Sequence, residues 1–153
     1  VENALAKVGL LERQADKPAT FSGGMKRRLN IACAIAHEPQ LIIFDEPTVG
    51  IDPQSRNHIL ESIKTLRNHG ATVIYVTHYM EEVIDADHVI VMDGGHVVME
   101  GTPREIFSQV ETLKKYRLDV PQVTLLAHEL KQSGVDIPDG ILTTEELVNA
   151  LCQ

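Results

Sequence analysis

The sequence predicts an α/β fold: a parallel sheet flanked by helices, followed by a small C-terminal hairpin and a helical extension. The first observation is a pair of apolar, β-branched runs, residues 41–44 and 72–77, with a helical pattern between them. Strand, helix and strand in this order imply a right-handed crossover and two parallel strands. The second observation is the turn Asp93-Gly94-Gly95 between two short apolar runs, which indicates an antiparallel hairpin.

Two helices are expected before the first strand. Residues 2–12 form the first, because Leu5, Val8 and Leu11 recur at helical spacing. Residues 24–37 form the second, which Pro39 ends. Three residues of this second helix share one face: Leu29, Cys33 and Ala36.

The first strand, residues 41–44, is a continuous apolar run, typical of a strand that is buried on both faces. The next helix begins at Asp52-Pro53, a good N-cap followed by proline at the first helical position. Its core stripe consists of Ile59, Ile63 and Leu66. Gly70 can end this helix before the second strand begins.

The tail after the hairpin is expected to be helical. Helices are predicted over residues 103–109 and 122–133, with a turn-rich stretch over residues 133–140. A capping box, Thr143 with Glu146, opens a final helix. Its apolar residues are Leu147, Val148 and Leu151, and such sparse stripes can pack either on the same chain or on a partner.

Charge and cysteine content exclude several classes of protein. The 153 residues carry a net charge of −8, which argues against a basic nucleic-acid-binding module. The charge is uneven: residues 1–80 have nine basic and eight acidic residues, whereas residues 81–153 have five and fourteen. The two cysteines, Cys33 and Cys152, lack CxxC spacing, so neither a cysteine-built zinc site nor a disulfide framework is expected, and a reducing compartment fits.

The SGG segment, Ser22-Gly23-Gly24, directly precedes a predicted helix. Two glycines allow a ligand to approach the backbone, and a helix N-terminus offers free N–H groups and the positive end of its dipole. The segment therefore suits an anion, most naturally a phosphate. A plain serine helix cap without a ligand fits the same residues.

Two acids, Asp45 and Glu46, end the first strand. In open α/β sheets, ligands bind at the carboxyl ends of the strands. A magnesium ligand followed by a water-orienting base fits this position, as do two solvated acids.

Asp52 is expected to cap its helix, whatever other role it has. His78 follows the second strand and could hydrogen-bond a phosphate or a water, although a lone histidine there is also compatible with a plain surface residue.

Together these motifs resemble the C-terminal part of an ATP-binding cassette (ABC) ATPase. Residues 22–24 match its signature motif and residues 41–46 its Walker B strand. Gly50-Ile51-Asp52 matches the D-loop, and His78 matches the switch histidine. Phe21 and Met25 depart from the commonest signature residues, in a manner seen in exporter-type cassettes. The fold implied is a partial P-loop NTPase.

The resemblance implies an ATP-binding and ATP-hydrolysing subunit that couples hydrolysis to transmembrane transport. It assigns Glu46 and His78 to catalysis and Asp45 to Mg²⁺. Ser22, Gly23, Gly24 and Asp52 are assigned to ATP. The implied partners are a second ATPase subunit, packed head to tail, and transmembrane subunits; no nucleic acid is expected. The implied location is peripheral, on the cytoplasmic face of the cell membrane.

No glycine in the sequence is followed by lysine, so the phosphate-binding motif G-x-x-x-x-G-K-[ST] is absent. We therefore expect the 153 residues to be a fragment that is inactive on its own. The resemblance divides it into residues 1–40, part of the helical signature subdomain, residues 41–110, the C-terminal part of the ATPase core, and residues 111–153, a helical extension.

The resemblance within the family changes along the chain. Residues 1–82 resemble the ATPases of drug or polysaccharide exporters. From about Thr77 onward the sequence resembles ATPase subunits of energy-coupling factor importers for vitamins or metal ions. A chimeric chain joined near Thr77 would account for both. An importer ATPase is the first expectation and an exporter ATPase the second.

Two hypotheses from other classes remain. A soluble cassette ATPase of DNA repair or translation usually carries coiled-coil or basic insertions, and neither occurs here. A non-catalytic association module could be formed by the tail.

Overall fold

The computed structural model describes residues 1–152. The chain divides into two compact units, Val1–Thr77 and His78–Gln153. Gln153, the last residue of the extension predicted over residues 111–153, lies outside the described residues. None of the helices in the described part combines the length and the apolar character that crossing a bilayer requires.

The first unit is a parallel strand pair with helices packed on it. Its elements are α1 (Glu2–Lys7), α2 (Gly23–Ile35), β1 (Leu41–Asp45), α3 (Pro53–Asn68) and β2 (Thr72–Val76). Strands β1 and β2 are parallel, with Ile43 opposite Ile74 and Asp45 opposite Val76. The predicted strand–helix–strand crossover is therefore confirmed.

One face of this strand pair packs on the helices. Ile42 and Phe44 are buried in a cluster with residues of α1, α2 and α3. On the opposite face Leu41 is 53% and Ile43 63% exposed. Within residues 1–77 the first strand is therefore buried on one face only, and the prediction of burial on both faces is wrong. The reason is that α1, α2 and α3 all contribute to a core on the same side of the strand pair.

The first predicted helix, residues 2–12, is shorter than expected. Helix α1 ends at Lys7, and Gly9 adopts a left-handed conformation with φ of 65°. The chain then makes a short 3₁₀ turn over Leu11–Arg13. Gly9 ends the helical repeat, and Val8 and Leu10 on either side of it are buried.

Helix α2 confirms the second predicted helix but with a different buried face. Cys33 and Ala36 are exposed and Leu29 is half-buried. The buried residues of α2 are Gly24, Ile31, Ala32 and Ile35. The predicted face was wrong because apolar residues occur on more than one side of this helix, so their periodicity does not determine which side is buried.

Helix α3 follows the prediction closely. Asp52 caps it and Pro53 opens it. Ile59 and Leu66 are buried, and Ile63 packs beside them. After the helix Gly70 has φ of 88°, which lets the chain turn into β2.

The second unit begins with a short 3₁₀ turn, Met80–Glu82. Its elements are β3 (Val89–Asp93), β4 (His96–Gly101), α4 (Pro103–Phe107), α5 (Val110–Lys115), α6 (Gln122–Gln132) and α7 (Thr144–Leu151). Strands β3 and β4 are antiparallel, and Gly94 and Gly95 at their turn both have positive φ. The predicted hairpin is confirmed.

The tail is helical as predicted, with two differences. The segment after Pro103 forms two short helices, α4 and α5, instead of one. At α7, Thr143 accepts the expected hydrogen bond from the Glu146 N–H, at 3.2 Å. The Glu146 carboxylate does not return to the Thr143 N–H; it accepts from the Leu142 N–H at 2.8 Å and from Arg104 at 2.6 Å.

The apolar stripe of α7 is only partly used within the unit. Leu147 is buried, whereas Val148 and Leu151 are each about half exposed.

Candidate functional site

The SGG segment forms the N-terminus of α2. Ser22 is the N-cap, in an extended conformation, and its Oγ accepts a hydrogen bond from the Met25 N–H at 3.2 Å. Ser22 and Gly23 are exposed, whereas Gly24 is buried. The cap that the sequence predicts is therefore present, and the first turn of α2 faces solvent at Ser22 and Gly23.

The two glycines of this segment have different surroundings. A Cβ atom at Gly23 would meet nothing within 4 Å. A Cβ atom at Gly24 would lie 2.1 Å from Oγ and 2.4 Å from Cβ of Ser55. Gly24 is thus required where α2 touches the first turn of α3, whereas the fold of this chain sets no steric requirement for glycine at Gly23.

Asp52 lies at the same meeting point of two helix N-termini. Its Oδ1 accepts a hydrogen bond from the Ser55 N–H at 2.9 Å, which caps α3. Hydrogen bonds from the backbone and side chain of Ser55 hold the pKa of Asp52 below its usual range. The structure therefore brings Gly24 and Asp52, two of the predicted nucleotide-binding residues, together.

Asp45 and Glu46 lie where the sequence predicts, at the carboxyl end of β1. Asp45 is the last residue of the strand, and both side chains are exposed. Glu46 has φ of 44°, a left-handed conformation that is uncommon for residues other than glycine. Its N–H donates to the Val76 carbonyl at 2.9 Å, which extends the parallel pairing by one residue.

The acids begin a loop that we call the acidic loop, residues 45–49. Pro47 and Thr48 in its middle are fully buried. The Thr48 hydroxyl lies 3.4 Å from the Tyr75 hydroxyl of β2. The loop is therefore anchored by the buried Pro47 and Thr48, whereas the two carboxylates lie at the surface.

Arg27 of α2 contacts the acidic loop from another side. Its Nε donates to the Pro47 carbonyl at 3.1 Å, and its Nη2 lies 3.4 Å from the carbonyls of both Asp45 and Glu46. Sequence reasoning missed this residue, because a basic side chain on a helix usually belongs to a solvated face. Only the packing of α2 beside β1 reveals the three carbonyls that it reaches.

His78 is the first residue of the second compact unit. Its side chain is exposed, and its ring lies 4.3 Å from the Tyr79 ring, tilted by 35°. Its expected position beside the nucleotide stays a prediction.

Within the described residues, no three His, Cys, Asp or Glu side chains converge on a common metal position. The residue expected to bind the metal is the exposed Asp45. A single carboxylate is compatible with Mg²⁺, which in nucleotide sites retains waters and takes its other ligands from phosphates. The donor chemistry of this strand end therefore fits Mg²⁺ bound together with a nucleotide.

Two protein families match parts of this sequence. Residues 1–49 match the family described as "ABC transporter". Residues 123–153 match the "Energy-coupling factor transporter EcfA1 C-terminal domain". The two matches lie in the first and the second compact unit, respectively.

Curated relatives match the chain over its full length. The energy-coupling factor transporter ATP-binding protein EcfA1 of Caldanaerobacter subterraneus subsp. tengcongensis is 53% identical over 100% of this chain and 56% of its own length. EcfA1 of Clostridium novyi is 52% identical over 100% of this chain and 55% of its own length. EcfA2 of Clostridium perfringens is 46% identical over 100% of this chain and 55% of its own length. The chain spans about half the length of these curated relatives.

A solved structure has the same fold. The cbiO1 protein of Clostridium perfringens, described as part of the ABC transporter complex cbiONQ, superposes with a TM-score of 0.64 at 33% identity. The match covers 85% of this chain and 51% of that chain. The expected partial P-loop NTPase fold is confirmed.

The curated relatives extend over both sides of Thr77. The segment that resembles exporter ATPases and the segment that resembles importer ATPases thus both match energy-coupling factor subunits. The change of resemblance along the sequence therefore does not require a join near Thr77.

Proposed function

Because this chain matches ABC ATPases of the energy-coupling factor type in sequence over its whole length and in fold over most of it, we propose that it is part of an ATP-hydrolysing subunit of such a transporter. The subunit couples ATP hydrolysis to the import of a vitamin or a metal ion. The observation that carries this proposal is the placement of Asp45 and Glu46 at the carboxyl end of a parallel strand, on a loop anchored from two sides.

The two acids have different roles. Mg²⁺, when bound, would offset the negative charge of the phosphates, and Asp45 would hold it. Glu46, one residue past the strand, accepts a hydrogen bond from the attacking water and orients that water toward the γ-phosphate. Asp45 is the last residue of the strand, and Glu46 follows it in a left-handed conformation, so the two roles fall on successive residues of one strand end.

The SGG segment binds the nucleotide of a second subunit. Ser22 and Gly23 expose a capped helix N-terminus, which favours the negative charge of a phosphate. Asp52 supports this surface by capping the neighbouring helix, which Gly24 touches. In a head-to-tail dimer, each subunit then completes the site of the other. His78 donates a hydrogen bond to the γ-phosphate.

The partners of this subunit are a second ATPase subunit of the same family and transmembrane subunits. The first two relatives are named as EcfA1 and a third as EcfA2, which supports pairing of two related ATPase chains. The proposed location is peripheral, on the cytoplasmic face of the membrane.

Reconstituted transport tests this function. The chain is completed with the residues of the Caldanaerobacter relative that lie outside the matched part, which gives the completed ATPase. This protein is assembled with an EcfA2 subunit and transmembrane subunits in lipid vesicles. We expect ATP-dependent uptake of radiolabelled vitamin or metal ion, and no uptake with Glu46→Gln. ATP hydrolysis that never drives uptake with any set of transmembrane subunits would contradict the transport function.

A further inference from the structure

We propose that Arg27 is a positioning residue for ATP hydrolysis. It holds the main chain of the acidic loop and thereby sets the direction of the Glu46 carboxylate. The catalytic part of this inference rests on the proposed function, whereas the structural part rests on contacts within the first unit alone.

The Arg27 guanidinium faces three successive carbonyl oxygens. Nε donates to Pro47 at 3.1 Å, the shortest of the three contacts, and Nη2 is shared between Asp45 and Glu46 at 3.4 Å each. A planar guanidinium has several donors in a fixed fork, whereas an ammonium is a single point of charge. Because Arg27 reaches the three carbonyls from two different nitrogens, whereas lysine has its donors on one nitrogen, arginine suits this arrangement better than lysine.

The acidic loop needs such support at Glu46. A residue other than glycine with φ of 44° is in a sparsely populated conformation, which persists only where its surroundings enforce it. The Glu46 N–H is fixed by the Val76 carbonyl. Arg27 contacts the carbonyls before, at and after the second of the two acids, so the peptide groups on both sides of Glu46 are held.

The direction of the Glu46 side chain depends on these peptide groups. Rotation of either one would move the carboxylate away from the water. Pro47 and Thr48, the next two residues, are fully buried, and we expect this burial to keep the loop attached to the unit. Loss of Arg27 is therefore expected to impair catalysis without unfolding the unit. A misplacement of about 1 Å can cost on the order of 10²-fold in rate.

Arg27 also connects two elements with separate proposed roles. It lies on α2, whose N-terminus is the SGG segment, and it contacts the loop that carries both acids. The Arg27 contact therefore joins the surface proposed to touch the second subunit's nucleotide to the acids that act on the subunit's own nucleotide.

Kinetics of the completed ATPase test the catalytic part. Arg27→Gln is expected to lower kcat by about 10- to 100-fold and to change the KM for ATP less than twofold. Arg27→Lys, which keeps the charge but not the fork, is expected to fall between Arg27→Gln and the parent. Lys26→Gln, the matched control, removes a charge from the neighbouring exposed position and is expected to keep the parent kcat. A parent-like kcat in Arg27→Gln would overturn the proposal, as would a raised KM with kcat unchanged.

Hydrogen exchange on the 153-residue chain tests the structural part without any catalysis. Peptides covering residues 44–49 are expected to exchange faster in Arg27→Gln than in the parent, and at the parent rate in Lys26→Gln. Unchanged exchange in Arg27→Gln would overturn the positioning role. If the parent completed ATPase hydrolyses no ATP while Arg27→Gln loosens this loop, the proposed function fails and the loop contact stands. Arg27→Lys serves as the second variant in both measurements if Arg27→Gln folds poorly.

Discussion

Gly24 and Ser55 touch so closely that no side chain fits between them: a Cβ atom at Gly24 would lie 2.1 Å from the Ser55 hydroxyl oxygen. This contact brings the first turns of α2 and α3 together. The contact also shows that two neighbouring glycines are under different steric constraints. Gly24 is accounted for by packing within the chain, whereas Gly23 faces open space.

Alanine substitutions should distinguish these two glycines. Gly24→Ala forces α2 away from Ser55, and overpacking of this kind destabilises by about 1–3 kcal/mol. Gly23→Ala meets no atom and sits inside a helix, so the free energy of unfolding should stay within about 1 kcal/mol of the parent value. Urea denaturation of the 153-residue chain measures both. Equal stability of the two variants would contradict the assigned contact.

Replacing Ser22 by glutamate tests the in-trans role of the SGG segment. A carboxylate at this exposed cap would repel the γ-phosphate of the second subunit's nucleotide. In the completed ATPase we therefore expect Ser22→Glu to abolish turnover and to leave ATP binding to the monomer nearly unchanged. Equilibrium titration with a fluorescent ATP analogue measures the binding. A parallel collapse of monomer binding would show that the segment acts within its own subunit.

Replacing Glu46 by glutamine tests the proposed base. The amide keeps the size of the side chain and removes the charge that polarises the water. Positioned acid–base groups typically contribute about 10²- to 10⁴-fold, so the completed ATPase should lose turnover in that range. An ATP-bound dimer should accumulate, and light scattering with size exclusion detects it. Hydrolysis near the parent rate would rule out Glu46 as the base.

Asp45→Asn should fail at an earlier step than Glu46→Gln. Removal of the proposed Mg²⁺ ligand weakens the binding of nucleotide that depends on the metal, whereas binding without Mg²⁺ should stay unchanged. Calorimetric titration of the completed ATPase with ATP, with and without Mg²⁺, measures this difference. An equal affinity of the parent and Asp45→Asn for Mg-ATP would remove Asp45 from the metal site.

Asp52 should make the first unit sensitive to acid. Because Ser55 lowers the pKa of Asp52 in the folded state, its contribution to stability is present above the unfolded pKa of about 3.9. The contribution is lost as pH falls through the lower folded value. Asp52→Asn still caps the helix but does not titrate, so its unfolding free energy should fall less between pH 5 and pH 3. Urea denaturation across this range measures the effect, and identical losses in both proteins would contradict it.

The elements that the sequence predicts well are those with a local cause. Asp52-Pro53 fixes where α3 begins, and Gly94-Gly95 fixes the hairpin turn. Helix α1 was predicted too long because the periodicity of Leu5, Val8 and Leu11 continues across Gly9, where the backbone turns away. A repeat of apolar residues reports which side chains could share a face, and it does not report backbone breaks between them.

The positions of the candidate site residues could be predicted from the sequence, whereas the residues that hold them in place could not. Asp45, Glu46 and Asp52 lie at a strand end and a helix N-terminus, as their positions in the sequence suggest. Arg27 and Ser55 could not be found in this way, because their importance depends on the approach of α2 to β1 and to α3. Contacts between elements distant in sequence require the assembled fold.

The exposed face of the β1–β2 pair has a consequence for how this chain behaves in solution. Leu41, Ile43, Ile74 and Val76 together present an apolar surface that no part of residues 1–77 covers. Contiguous apolar surface and unpaired strand edges favour association between copies of a chain. During purification of the 153-residue chain, aggregation is therefore expected to increase with protein concentration. A substitution that places a charge on this surface, such as Ile43→Lys, should suppress the aggregation without disturbing the buried Ile42 and Phe44.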